Sequence, residues 1–192
     1  MTSTTDAPSV TTWRIDPVHT IAAFAVRHMG MSTFRGRFRT VEGSITLDEA
    51  NPANSSVTAT LDVQSLDVLG ERFVQAMMRA EHFHVEEHPT ITFRSTRVER
   101  GADDRHWTVH GDLTIRGITH EVALETEYLG QDKHPFSGRT IAGFRAETEI
   151  DRGDYGMQWN AALESGAKYL GERVTITLDI EAVHEEEPAP QS

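Results

Sequence analysis

The stretch "WTVHGDLTIRGITHEV", residues 107–122, carries the clearest periodicity in this chain of 192 residues. Its apolar or small residues occupy every second position, which is the pattern of a β-strand with one buried face. These positions are Trp107, Val109, Gly111, Leu113 and Ile115. The turn signal "RGIT" follows, and the alternation resumes at Ile118. The stretch therefore predicts two antiparallel strands joined by a short turn.

The same alternation recurs along most of the chain. It is found in residues 22–28, 57–63, 91–95, 118–128, 142–150 and 174–180. Segments rich in Gly, Pro, Asn and Asp separate these runs, among them "EANPANSS", "RGADDR" and "LGQDKHPFSG". The pattern predicts about eight or nine antiparallel strands in a closed barrel or a sandwich. The parity changes between Phe38 and Val41, which predicts a bulge near residues 39–41.

One segment follows a helical period instead. In "GERFVQAMMRAEHF", residues 70–83, the apolar positions Phe73, Val74, Met77 and Met78 form one stripe of an amphipathic helix. We expect this helix at the mouth or the flank of the barrel. A second short helix is expected within "WNAALESGA", residues 159–167.

Composition limits the classes of function. Hydrophobic residues make up 38% and charged residues 25%, as in ordinary soluble proteins, and no apolar run approaches the roughly 20 residues of a membrane helix. The formal charge of −12 disfavours unspecific binding to nucleic acids or anionic membranes. The start lacks the pattern of a signal peptide and the chain has no cysteine, so a cytoplasmic location is expected. Length predicts one domain over residues 12–184, between disordered segments 1–11 and 185–192.

The candidates for chemistry are histidines. The odd offset between His19 and His28 places them on opposite faces of a straight strand, so they do not form a metal pair. "HFHVEEHP" contains His82, His84 and His88, but at a helix-to-strand transition and without a further pair of recognised spacing, so no metal site is expected. No nucleophile elbow, phosphate-binding loop or dinucleotide fingerprint occurs, so catalysis has no local signature.

A ligand cavity is the remaining interpretation. A barrel of about eight strands is either just filled by side chains or wide enough for one small ligand. Small residues at the expected inward positions favour open space. These residues are Ala22, Ala59, Gly111, Ala142 and Ala146.

Several motifs of the chain resemble those of one known family. "DPVHTIAAFAVRHMGMSTFRGRF" (residues 16–38) is similar to an opening D-x-x-H-S strand, with Thr20 in place of Ser. "HPTITFRS" resembles a P-x-I-x-F-x-S strand, and "VHGDLTIRGITHEV" a V-x-G-x-L-T-I-x-G-x-T hairpin. "IDRGDYG" and "LGERVTITLDIEA" resemble a closing turn and a last strand. Over about residues 13–183, these motifs resemble those of the YceI-like, polyisoprenoid-binding family.

The resemblance implies an all-β fold: an extended antiparallel lipocalin-like barrel with an apolar tunnel for a long isoprenoid or fatty-acid-like molecule, often in a dimer. Phe24, Val26 and His28 then occupy the tunnel strand. The chain departs from the family at Phe73 and Val74, where an Arg-Asp pair is usual, and at Met77, where Leu is usual. The full set of predicted ligand-binding residues is Phe24, Val26, His28, Phe38, Phe73, Met77, Phe83, Phe93, Phe144 and Trp159.

The sequence and the resemblance together predict a non-catalytic protein that carries or sequesters a long apolar lipid, with no cofactor besides that lipid. The resemblance also implies a homodimer. Two alternatives stay open. One is an enzyme that acts on such a lipid with His19 or His28 as acid or base. The other is a metal or haem site around His28 or the His82/His84 pair.

Overall fold

The computed structural model describes residues 10–48 and 50–185 of the chain. Within them the chain forms eleven strands and one short α-helix. In chain order these are β1 (Val10–Ile15), β2 (Ile21–His28), β3 (Ser32–Phe38), β4 (Val41–Asp48), β5 (Ser56–Asp62), β6 (Leu66–Val68), α1 (Glu71–Met77), β7 (Thr90–Arg100), β8 (His106–Ile115), β9 (Ile118–Lys133), β10 (Thr140–Asp151) and β11 (Leu170–His184).

The two segments predicted to be disordered, residues 1–11 and 185–192, lie mostly outside the described residues. Residues 1–9 and 186–192 are not described. Val10 and Thr11, which the sequence assigned to the disordered N-terminal segment, belong to β1 and pair with Asp48 and Leu47 of β4.

Strand pairing closes the sheet into a barrel. Strands β1, β4, β5, β7, β8, β9, β10 and β11 are neighbours in that order, and β11 pairs with β1 again. Every pair is antiparallel. The predicted all-β, lipocalin-like barrel of eight strands with one helix is confirmed. No helix among the described residues has the length and apolar character needed to cross a membrane.

The remaining strands lengthen the barrel wall. Strands β1 and β2 follow each other along one edge of β11, at Trp13 opposite His184 and at Val26 opposite Val174. Strand β3 runs in the same way into β4, and β5 runs through a 3-10 turn into β6. Three of the eight places in the barrel wall are therefore each occupied by two successive strands with a bend between them. The bulge predicted near residues 39–41 is instead a break between strands, because β3 ends at Phe38 and β4 begins at Val41. Both residues are buried, so the parity changes across Arg39 and Thr40.

The β8–β9 connection is the turn that the sequence predicts. Ile115 pairs with Ile118, so only Arg116 and Gly117 lie between the strands. Both have left-handed backbones, with φ of 54° and 70°. This geometry matches the right-handed twist of the two strands, and glycine adopts it without a steric penalty.

Of the two predicted helices, the first is present in shortened form and the second is not. Helix α1 is present, but it ends at Met77. Residues 78–89 continue in turns, in which the Phe83 amide donates to the Met77 carbonyl oxygen (2.9 Å). The second helix, expected within residues 159–167, is wrong. The Asn160 side chain bonds to both backbone groups of Leu170 (2.7 and 3.0 Å), and Gly166 is left-handed, so this segment folds as a loop.

The bend between β1 and β2 carries a polar cluster on the barrel exterior. Nδ1 of His19 lies 3.0 Å from an Asp16 carboxylate oxygen and 3.4 Å from one of Glu181. The hydrogen bond to Asp16 and the charge of Glu181 raise the pKa of His19. Partial burial acts to raise the pKa of Asp16, but the hydrogen bonds from His19 and the Val18 amide outweigh it, so that pKa is lowered. The cluster ties the bend to β11.

We expect Gly43→Ala to destabilise the barrel. A Cβ at Gly43 would lie 2.1 Å from the Thr58 carbonyl oxygen and 2.9 Å from Cα of Ala59, so the β4 and β5 backbones would have to separate. Overpacking of this kind costs about 1–3 kcal/mol, measurable by urea unfolding. Glu42→Ala, at the exposed neighbouring position, is the matched control. Equal stability of the two variants would contradict the close approach.

The Asp16–His19 cluster predicts a pH-dependent effect of His19→Gln. Stabilisation through His19, whose pKa is raised, is complete below its ordinary value of 6.5 and is lost as pH rises through the raised value. Stabilisation through Asp16 is present above its ordinary value of 3.8 and is lost as pH falls. His19→Gln should therefore lower Tm more at about pH 5.5 than at about pH 9. A Tm difference that does not change with pH would refute this role.

Candidate functional site in the barrel interior

An apolar cavity of about 900 Å³ extends along the barrel interior. At one end, called the helix end, it is lined by Phe73 of α1 and by Trp159, which are also 52% and 42% exposed. At the other end, called the far end, it reaches Arg100 and Gln131. The cavity thus forms a tunnel between the two ends of the barrel. Its volume lies at the upper end of the roughly 300–1,000 Å³ found for small-molecule sites.

All ten residues predicted to bind a ligand line this tunnel. Their part in ligand binding stays a prediction. Near the helix end, Phe24, Phe38 and Phe83 form a cluster with ring centroids 5.6–6.5 Å apart. Phe34, 6.3 Å from Phe24, belongs to the same cluster and was missed by the prediction. Its alternation with Phe38 in "FRGRF" was the signal available for it.

Small residues determine the width of the tunnel. Of the five expected inward positions, Ala22, Ala59 and Ala146 line it. Ala142 is packed with Trp13 and Ala182 in the core at the far end. The fifth position, Gly111, leaves no open space, because a Cβ there would lie 2.5 Å from the Phe93 ring. It differs from the expectation because a ring from the neighbouring strand covers it.

Gly36 has the same role near the helix end. A Cβ at Gly36 would lie 2.5 Å from the Phe24 ring and 2.5 Å from Val68. The glycine therefore allows the Phe24 ring to lie against the barrel wall rather than across the tunnel.

A second group of aromatic rings lies at the helix end of the tunnel. Tyr169 lies between His28 and Trp159, with centroid distances of 4.6 and 6.0 Å, and Trp159 contacts His82 at 5.3 Å. Tyr169 and His82 also line the tunnel and were missed as lipid-binding residues, although His82 was considered as a metal ligand. Tyr169 is placed there by the loop of residues 157–169, part of which was expected to be a helix.

The two histidines of the first long motif have different positions. His28 lines the tunnel at the helix end, whereas His19 lies on the exterior in the Asp16 cluster. The sequence argument that they do not form one metal site agrees with this arrangement.

His82 is a tunnel residue rather than a partner of His84. Burial lowers its pKa below the ordinary value of 6.5; Glu81 opposes the shift and three arginines reinforce it. The arginines are Arg79, Arg116 and Arg152. The imidazole is therefore neutral near pH 7 and gives the tunnel an uncharged polar group.

Arg152 is a cation in the tunnel wall and is only 7% exposed. It donates to the carbonyl oxygens of Gly171 (2.8 Å), Trp159 (3.0 Å) and Met157. Burial lowers its pKa, while Asp151 and Glu172 act in the opposite direction. Arg152 thus fixes the loop that carries Trp159 at the helix end. The sequence analysis missed it, because a charged residue in "IDRGDYG" gave no sign that its side chain turns inward.

Among the residues that the structure describes, two groups of side chains outside the tunnel could hold a cation. His84, Glu87 and His88 have ligand atoms within 4.8 Å of one another, as do Asp16, His19 and Glu181. Nitrogen and carboxylate donors of this kind suit zinc-like ions. The His82/His84 pair considered from the sequence is not such a group, because His82 turns to Trp159 and His84 to Glu87 and His88.

Sequence comparison places these features in a family. Residues 13–182 match the YceI-like domain. A UPF0312 protein from Photorhabdus laumondii is 32% identical over 87% of this chain and 82% of its own length. The protein YceI of Escherichia coli is 31% identical over 87% of this chain and 83% of its own.

Solved structures share the fold. BcnA of Burkholderia cenocepacia has a TM-score of 0.74 at 17% identity, over 87% of this chain and 98% of its own. A Campylobacter jejuni YceI protein has a TM-score of 0.69 at 21% identity, over 83% and 90%. A polyisoprenoid-binding domain from Saccharophagus degradans has a TM-score of 0.64 at 13% identity, over 92% and 100%. With its closed barrel, its apolar tunnel and a match over nearly all of the described residues, the chain belongs to the YceI-like family.

Proposed function

We propose that this protein binds a long-chain apolar lipid, polyisoprenoid or fatty-acid-like, in the barrel tunnel, and that it carries or sequesters the lipid without changing it. The observation that carries the proposal is the continuous apolar tunnel of about 900 Å³. The polyisoprenoid-binding domain from Saccharophagus degradans, which has the same fold, supports the choice of ligand class.

The energetics of such binding need few polar contacts. Burial of each methylene group yields about 0.8 kcal/mol, so a tail of a dozen carbons gains about 10 kcal/mol. That gain is of the same order as the roughly 4–15 kcal/mol lost in translational and rotational freedom. Affinity then grows with the length of chain that the tunnel encloses, and the wall needs shape and apolar character rather than a motif.

A binding role is favoured over catalysis by the positions of the acid/base candidates. His19 is outside the tunnel and bonded to Asp16, so it cannot reach a lipid inside. His28 lines the helix end with its ring packed edge-on to Tyr169. An enzyme would need a further group that positions the lipid against His28. The homodimer and the cytoplasmic location expected from the sequence stay predictions.

Narrowing the tunnel should weaken lipid binding. Ala59 lines the tunnel, and Ala59→Phe places a ring in the space of several methylene groups. We expect the affinity for a long-chain fluorescent fatty acid to fall at least about tenfold. A fall of this size corresponds to the free energy of burying roughly two methylene groups. Thr60→Phe, at an exposed position on the same strand, is the matched control and should bind as the wild type does. If both variants bind equally well, the lipid does not occupy the tunnel.

The proposal also predicts co-purification. Protein isolated from its native host without detergent should release a long-chain lipid into organic solvent, identified by mass spectrometry. The Ala59→Phe protein, isolated in parallel, should release less of it or a shorter chain. Incubation with the extracted lipid should return it unchanged, whereas a converted product that His28→Gln abolishes would favour the enzyme.

A further inference from the structure

We propose that the helix end of the barrel docks on an anionic lipid bilayer, with the tunnel mouth facing the membrane. The inference rests on the proposed function, because docking serves exchange of the tunnel lipid. The docking face consists of an apolar rim and a group of arginines around α1 and the β2–β3 hairpin. Its rim residues are Met31, Leu69 and Phe73, and its arginines are Arg27, Arg35, Arg37, Arg39 and Arg72.

Charge is unevenly distributed over this acidic chain. Its formal charge is −12, yet residues 17–41 contain four arginines and no aspartate or glutamate. Arg35 and Arg37 alternate with the inward residues of β3 and are exposed, opposite Ala25 and Ala23 of β2. The exterior of the β2–β3 hairpin is therefore a basic surface.

Most of this positive charge is not neutralised locally. Arg37 and Arg39 share the single carboxylate of Asp67, at 2.9 Å each. Arg27 donates instead to the Gly30 carbonyl oxygen (2.9 Å) and the Thr33 hydroxyl (3.2 Å).

Two further arginines form no salt bridge with the part of the chain that the structure describes. Across residues 10–48 and 50–185, no salt bridge joins Arg35 or Arg72 to an acidic group. With Asp67 and Glu71 counted, the five arginines leave the docking face a formal charge of about +3.

Large apolar side chains lie on the same face. Leu69 is 92% exposed, Met31 80% and Phe73 52%. Leu69 directly follows the Gly36–Val68 pair of strands β3 and β6, so it lies beside Arg35. The Phe73 ring is 5.8 Å from the ring of Phe34 on β3. Met31 belongs to the β2–β3 turn, next to the Gly30 carbonyl that Arg27 holds.

The rim continues into the tunnel. Phe73 is half exposed and also lines the cavity, so an apolar surface leads from the exterior to the interior. A long lipid moving between a bilayer and this tunnel avoids water only if the mouth touches the membrane, because each exposed methylene is unfavourable in water. Apolar side chains that enter the interface, surrounded by arginines that attract anionic headgroups, are the combination that peripheral membrane binding requires.

Charge complementarity decides in favour of an anionic surface. The rest of this protein is strongly acidic and is repelled by such a membrane, so the barrel approaches with its basic face first. The far end has no comparable excess of positive charge, because residues 97–106 and 125–139 carry five arginines and lysines against six aspartates and glutamates.

Vesicle binding tests the docking face. The full-length protein is sedimented with vesicles of phosphatidylcholine alone and of phosphatidylcholine with phosphatidylglycerol. We expect binding to the anionic vesicles, weakened by salt, and an at least tenfold loss of vesicle affinity in Arg35→Glu/Arg72→Glu. Leu69→Ser/Met31→Ser should likewise lower both vesicle affinity and the rate of lipid transfer between vesicles.

The controls lie at the far end. Arg139→Glu and Phe136→Ser change an exposed arginine and a 94% exposed apolar side chain in the β9–β10 region, and both should bind vesicles as the wild type does. None of the four docking-face positions lines the tunnel, so lipid affinity in vesicle-free solution should be unchanged in all variants.

Three outcomes would overturn the inference. The first is vesicle binding that is absent or independent of phosphatidylglycerol. The second is equal loss in the far-end controls. The third is a homodimer that the docking-face variants dissociate while vesicle binding is absent, which would assign the face to a second copy of the chain. In each of these cases, the proposed function is still supported if the protein binds lipid in vesicle-free solution. If the wild-type protein binds no lipid there, the proposed function itself is contradicted.

Discussion

The pairing of β11 with both β1 and β2 is the constraint on which the rest of the structure depends. It closes the sheet, so that every strand of the barrel has two neighbours and no long backbone edge is left in that ring. It also requires β1 and β2 to bend where they pass from one part of β11 to the next, and the Asp16–His19–Glu181 cluster lies at this bend. Closure with eight strands sets the width of the interior.

Within that width, the choice of side chains leaves the tunnel open. Alanines line parts of the wall, and glycines 36 and 111 allow aromatic rings to lie against it. Larger residues at these positions would either fill the tunnel or push the rings across it. At the helix end, Arg152 holds the loop that carries Trp159, so the tunnel mouth is built by a buried cation bonded to backbone carbonyls. The tunnel therefore depends on the closure of the sheet, on the small residues in its wall and on the loop that forms its mouth.

Much of this was predictable from the sequence, for physical reasons. Period-two alternation predicted the strands, and the family resemblance implied that Phe24 lies on a tunnel strand; the structure places Phe24, Phe93 and Phe144 in the tunnel wall. The turn at Arg116 and Gly117 followed from local backbone preference.

The remaining features depend on contacts that local patterns do not encode. Residues 159–167 have a composition suited to a helix, but bonds from Asn160 to Leu170 hold them as a loop. Tyr169, His82 and Arg152 reach the tunnel only through such irregular segments. Net charge is likewise silent about how charge is distributed, and the total of −12 does not reveal the basic surface around Arg35.

The measurement that tests the central claim most directly is the binding free energy of a homologous series of saturated fatty acids by titration calorimetry. The tunnel predicts a gain of about 0.8 kcal/mol for each added methylene, up to a chain length at which the tunnel is filled, and no gain beyond it. A free energy that does not depend on chain length would contradict a lipid enclosed in the barrel.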